Sequence, residues 1–210
     1  MPRSYIKDSL LAEYIPSYET EKLFSERSSS SNWADGETTI DFFISYSTHD
    51  KELAIKFAKF LMDQLKGCTI YLYSIDIKTI KDSDDVSTER IEEILSKTNF
   101  VLFLQSINSI ESFWCAWELG YITALGHSKC IIVRINSDLS FTKHREYLKL
   151  YPRLMIIPKK KTDVSSSSNY LLEVLRPDER LGIPLKRYLN GERGFLDVNW
   201  EKAFDEFTKQ

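Results

Sequence analysis

Residues 112–125 read SFWCAWELGYITAL and carry a single charge, Glu118. A helix that is apolar nearly all round is mostly buried. A carboxylate midway along it must pair with a cation, take up a proton, or face a cleft. Trp114 precedes Glu118 by four positions, so indole and carboxylate share one helical face. An aromatic wall beside a carboxylate can hold a sugar ring and stabilise positive charge at its anomeric carbon. The same residues admit a structural account. Glu118 could be half of a buried ion pair, for instance with Arg134 on the next strand, and Trp114 and Trp117 could be core. Perturbed carboxylates arise both ways, and spacing alone leaves both readings open.

Other chemistries lack their residues. The sequence has no GxGxxG after its first strand-like run and no GxxxxGK[ST], so the usual phosphate-cradling loops are absent. His49, His127 and His144 are scattered, without HExxH or Cys/His ligand spacing, and no metal site is expected. There is no GxSxG nucleophile elbow. Cys115 has nothing nearby in sequence to lower its pKa and reads as packing.

The elements that must position Glu118 follow from periodicity. Residues 39–46 (TIDFFISY) read as a strand, and residues 51–66 as an amphipathic helix with Leu53, Phe57, Ala58, Leu61 and Leu65 on one face. Gly67 stands in the usual C-terminal position of that helix. Residues 68–73 (CTIYLY) form a second strand, 74–87 a polar loop, and 88–97 a helix with Ile91, Ile94 and Leu95 inward. Residues 100–104 (FVLFL) suit a strand covered on both faces. A third helix over 109–126, a strand over 130–135 and a fifth over 154–157 follow. Alternating strands and helices imply a parallel sheet flanked by helices. Right-handed crossovers leave few topologies. The expectation is an α/β fold, a five-stranded parallel sheet in the flavodoxin-like order with helices on both faces. In such sheets ligands sit at the carboxyl ends of the strands, where the order reverses. That selects the loops after Tyr46, Tyr73 and Leu104.

Two serine runs, 28–31 and 165–168, bracket this pattern. They divide the chain into an N-terminal extension (1–38), a domain over 39–160, and a C-terminal extension (161–210). The first holds short helices over 5–14 and 18–24. Within the last, residues 169–210 are expected to add about two short helices, broken at Pro177, Pro184 and Asn190-Gly191, the first of them before Pro177.

Composition bounds the class. With 210 residues, 42% of them hydrophobic and 13% aromatic, the chain can bury a substantial core. Its 28 basic and 31 acidic residues leave a net charge of −3, which argues for neither a nucleic-acid nor a membrane-surface partner. Three widely spaced cysteines, Cys68, Cys115 and Cys130, make no disulfide framework. Arg3, Lys7, Asp8 and Glu13 near the start, with no long apolar run, lead to the expectation of a cytoplasmic protein without a leader.

The run from Ser112 to Leu119 (SFWCAWEL) resembles the SxWCxxEL signature of TIR (Toll/interleukin-1 receptor) domains. Residues 41–47 (DFFISYS) are similar to the family's first strand. Asp50 falls where many members keep an acidic residue at the start of the first helix, and residues 99–104 followed by Ser106 also fit. The matches span residues 39 to about 157 in the right order. The resemblance implies a flavodoxin-like fold. It also implies cleavage of the nicotinamide–ribose bond of NAD, with NAD as substrate and no cofactor. Glu118 takes the position of the catalytic glutamate of WxxxE and Trp114 that of its tryptophan.

By the same resemblance Tyr46, Ser47 and Thr48 line the ribose pocket, and Asp76 contributes from the loop after the second strand. Tyr46 could equally be core, and Ser47 could cap the first helix through a Ser47-x-x-Asp50 box. Where many members carry a glycine followed by an aromatic residue, residues 76–86 have neither. The product would be ADP-ribose or a cyclic ADP-ribose-type signal. The small format resembles signal-producing components of bacterial antiphage systems such as Thoeris, in which a separate effector protein responds to the product. Self-association through TIR–TIR contacts is also implied. The alternatives are a non-catalytic TIR scaffold and a nucleoside deoxyribosyltransferase-like enzyme, which shares the fold type and a catalytic glutamate.

Overall fold

Alternation along the strands sets the layering. The computed structural model describes residues 8–12, 14, 40–72, 88–126, 129–135, 146–159, 170–177 and 182–191. In β1 (Ile40–Ser45), Phe42 and Ile44 enter one core cluster and Phe43 the other. β2 (Ile70–Leu72) divides Ile70 and Leu72 from Tyr71. β3 (Thr98–Gln105) divides Leu102 and Leu104 from Val101 and Phe103. β4 (Cys130–Arg134) divides Ile131 and Val133 from Cys130 and Ile132. Strands apolar on both sides need two covering layers.

The Phe42 side is covered by α1 (Asp8–Leu11) and α2 (Lys51–Gln64), which contribute Leu11, Phe57, Ala58, Phe60 and Leu61 to that cluster. The Phe43 side is covered by α3 (Thr88–Ser96), whose Ile91, Ile94 and Leu95 point inward as expected. The longer helix carrying Glu118 lies on that side too and supplies Cys115, Leu119 and Ile122. Gly67, with φ +85, occupies the left-handed conformation that lets the chain turn out of α2 toward β2.

The expected helix over 109–126 is two helices, α4 (Ile107–Glu111) and α5 (Phe113–Leu125). Ser112 separates them with an extended backbone, φ −77 and ψ 121, ending one and capping the next. Its hydroxyl accepts from the Cys115 backbone N–H at 3.3 Å. Ser106 and Ser109 form a reciprocal capping box at the start of α4. Serine hydroxyls that satisfy free helix-end N–H groups outcompete continuation of one long helix. Ser112→Ala is expected to cost about 1 kcal/mol, read as a shift of the urea midpoint without a change in slope.

The sheet order is β2-β1-β3-β4-β5-β6-β7, with β5 at Arg153–Pro158, β6 at Tyr170–Leu175 and β7 at Ile183–Pro184. The first five strands are parallel in the flavodoxin-like order, as expected. The last two add antiparallel pairs. Here the expectation of helices from 169 onward is corrected: only α6 (Leu185–Leu189) is helical among the described residues there. In β6, Leu172 and Val174 alternate inward onto the α2-side cluster. A five-stranded sheet would leave the β5 edge unpaired, and β6 satisfies those backbone groups. Residues 18–24 and 192–210 lie outside the described residues. Among the described residues no helix is long and apolar enough to cross a membrane.

Candidate functional site

The parallel order reverses between β1 and β3, so the crevice lies at their carboxyl ends. Ser45 ends β1 and pairs in register with Phe103 of β3. By strand alternation it shares the face of Phe43, the face that α5 covers. α5 carries Glu118 to that point, and the Ser45 hydroxyl donates to Glu118 Oε2. Both residues are buried, Ser45 at 0% exposure and Glu118 at 4%. The sequence-level alternative of an ion pair with Arg134 is not what the carboxyl finds. Arg134 donates from Nε to Gln105 Oε1 at 3.3 Å.

Burial pushes the Glu118 carboxyl up to about 8, and the Ser45 hydrogen bond opposes that rise. Of the three routes open to a carboxylate in an apolar helix, this site takes up a proton at neutral pH. Cys115, one turn earlier, is within hydrogen-bonding reach of Ser45 and Ser112. Desolvation first, then the Glu118 charge, pushes its thiol up to about 11. It is therefore a protonated wall of the site and not a thiolate nucleophile.

A second cluster fixes the loops above this pair. Asp50, at the end of a 3-10 turn (Thr48–Asp50), accepts from the Ser106 hydroxyl and from Asn108 Nδ2, the latter at 2.7 Å. One carboxylate thus ties the segment after β1 to the segment after β3. Asp50→Ala is expected to lower stability by about 1–2 kcal/mol, measured by urea unfolding, because two hydrogen bonds to a charged acceptor are lost at a half-buried position.

The expected site residues are placed as follows. Trp114 is half-buried against the α5-side core, with its ring edge-on to Trp117 at 5.8 Å, and Trp117 stacks on Tyr121 at 5.6 Å. The aromatic wall is thus a ladder along α5. Tyr46 packs in the α2-side cluster, across the sheet from Glu118. Ser47 is buried but makes no side-chain cap; its hydroxyl lies 3.5 Å from His49 Nδ1. The expected Ser47–Asp50 box is replaced by the Asp50–Ser106 tie. Thr48 is exposed, and Asp76 lies outside the described residues. Sequence reasoning passed over Ser45. Its signal was a hydroxyl ending an otherwise apolar strand, two residues after Phe43.

A cavity of about 570 Å³ opens elsewhere, at the amino-terminal edge of the sheet, where Asp41, Asn99, Phe100, Lys66, Lys129 and Lys186 are among its lining. It begins where β1 and β3 begin, whereas Ser45 and Glu118 meet where those strands end.

No curated protein matches the chain. A family model described as TIR domain matches residues 42–155, which is more than half of the chain and contains most of β1, Asp50, Ser106 and all of α5. A parallel sheet in the flavodoxin-like order and a family match across the same residues lead to one conclusion: the chain belongs to the TIR domain family.

Proposed function

We propose that this chain is an NAD-consuming TIR enzyme in which Glu118 is the catalytic residue. The observation that carries the reading is a lone carboxylate at the carboxyl edge of the sheet, beside the β1–β3 reversal, with a serine and, among the described residues, no cation as its partner. A carboxyl that is not committed to an ion pair can, in its ionised form, face a cationic substrate. Cleavage breaks the bond between the ribose anomeric carbon and the nicotinamide nitrogen. The electron pair leaves with nicotinamide, a neutral pyridine that requires no general acid. The ribose passes through an oxocarbenium-like state, and ionised Glu118 stabilises that charge, as carboxylates do in glycosidases. Capture by water gives ADP-ribose and releases a proton. Capture by an adenine or ribose atom gives a cyclic product, favoured where the pocket excludes water.

With 4% of Glu118 exposed, substrate reaches it only when the residues above it move. Self-association that completes the site fits this requirement. Phe113 at the start of α5 is 92% exposed and Ile107 at the start of α4 is also exposed, an apolar surface suited to such contacts. The same surface is what a purely scaffolding TIR protein would use. The proposal extends to a cytoplasmic role in bacterial antiphage immunity, with a separate effector responding to the product.

The test is incubation of the full chain with NAD, dilute and at assembling concentration, with nicotinamide quantified. Release that depends on Glu118 supports the enzyme. No release in either condition, or undiminished release by Glu118→Gln, leaves the scaffold reading in its place.

A further inference from the structure

We infer that Ser45 is the positioning residue of this site, holding one oxygen of Glu118 so that the other faces the crevice. The inference rests on the enzymatic reading above and deepens it. The two carboxyl oxygens are not equivalent. Oε2 accepts from the Ser45 hydroxyl. Oε1 has no partner among the described residues, yet it is not among the fully buried, unpartnered side-chain atoms. The slight exposure of the residue therefore includes Oε1, the oxygen that a ribose hydroxyl or a developing cation would meet.

Ser45 is suited to this hold. It ends β1, an interior strand of the parallel set, its backbone pairs in register with Phe103 of β3, and its side chain is fully buried. A short side chain on a rigid strand loses little entropy in making the bond. The long, rotatable glutamate is the partner that needs restraint. A donor to the charged form also favours ionisation. The hydroxyl thus both aims the carboxylate and opposes the desolvation that would keep it protonated.

The surrounding groups leave Ser45 as the only such influence among the described residues. From α5 comes the Cys115 thiol, held protonated. The nearby segment after β1 brings Asp50, whose two oxygens are taken by Ser106 and Asn108. β3 presents Phe103 and β4 presents Ile132 on this face, neither of which titrates. Arg134 is engaged by Gln105.

The experiment compares wild type, Ser45→Ala and Ser45→Cys, with Glu118→Gln as reference. Two readouts are taken on the full chain: the pH profile of nicotinamide release, and the infrared carboxyl band that Glu118→Gln removes, followed through a pH titration. Thermal unfolding verifies that each variant is folded. In Ser45→Ala the midpoint of both titrations is expected to move up by about one pH unit. At pH 7 kcat then falls about tenfold with KM little changed, because the ionised fraction falls by that factor. Ser45→Cys, of similar size and a weaker donor, is expected to fall between. Wild-type midpoints in a folded Ser45→Ala overturn the assignment of Ser45. A wild-type chain that releases no nicotinamide, while the infrared midpoint still shifts in Ser45→Ala, overturns the enzymatic reading instead.

Discussion

Glu118→Gln is expected to abolish nicotinamide release to within assay background, a loss on the order of 100- to 1,000-fold, and to make the protein more stable above pH 5. The two effects have one cause. The amide has the shape of the carboxyl, stays neutral, and can still bond Ser45, so packing in α5 is unchanged. What disappears is a charge that burial disfavours. In the folded chain burial raises the Glu118 carboxyl from an ordinary 4.5 to about 8. The unfolded chain therefore gives up its proton at lower pH than the folded chain does. Between those two values the folded state binds more protons, and wild-type stability falls as pH rises. Below about pH 4.5 both states are protonated, and the variant should match wild type. By pH 7 wild type has lost on the order of 3 kcal/mol that the glutamine variant retains. Urea unfolding at pH 4, 6 and 8 reads the divergence directly. A carboxylate that served structure would behave in the opposite way, because removing it would cost stability at neutral pH. Loss of activity together with gain of stability is the pattern of a group kept for function at the expense of the fold.

That same burial explains what the sequence could and could not reveal about the site. The strand order was legible because both faces of the central strands are buried, so their apolar runs stand out against the loops. Glu118 was legible because a lone charge in such a helix has to be accounted for. The division at Ser112 was not, since a serine inside an apolar pattern reads equally as a helix residue or as a cap until backbone partners are known. β6 was misread as helix because YLLEVL satisfies both periodicities over so short a run, and only the open edge of β5 decides between them.

The contrast between Ser45 and Tyr46 is the most instructive. Adjacent strand residues face opposite ways, so both cannot line a site on one side of the sheet. The right-handed crossover rule puts the helix after β3 on the face opposite the helix after β1. What no sequence rule supplies is which of the two faces each helix takes relative to the strand's odd and even positions. That is settled by packing: α2 brings Phe57, Phe60 and Leu61 over Phe42 and Ile44, leaving Ser45 to the helix that carries Glu118.

Phe103→Ala is the substitution expected to cost the fold most, about 3–5 kcal/mol in urea unfolding, and it should also impair the site. Phe103 is 1% exposed in β3, pairs in register with Ser45 on one side and Ile132 on the other, and lies beneath Cys115, Leu119 and Ile122 of α5. Truncation leaves a cavity beneath the helix, and the loss is a large part of a typical total stability of about 5–15 kcal/mol. Partial collapse of α5 into that space would displace Glu118 from Ser45, because the hydrogen bond joins α5 to the strand next to β3. Leu104→Ala is the control. Leu104 is as deeply buried but belongs to the opposite cluster, with α2. Its truncation should cost about 2–5 kcal/mol while leaving α5 and the Ser45–Glu118 pair where they are. At a temperature where both variants remain folded, nicotinamide release should fall in Phe103→Ala and stay near wild type in Leu104→Ala. Equal activity in the two would mean that α5 is held in place by its neighbours on α3 and β4 and not by the strand core beneath Glu118.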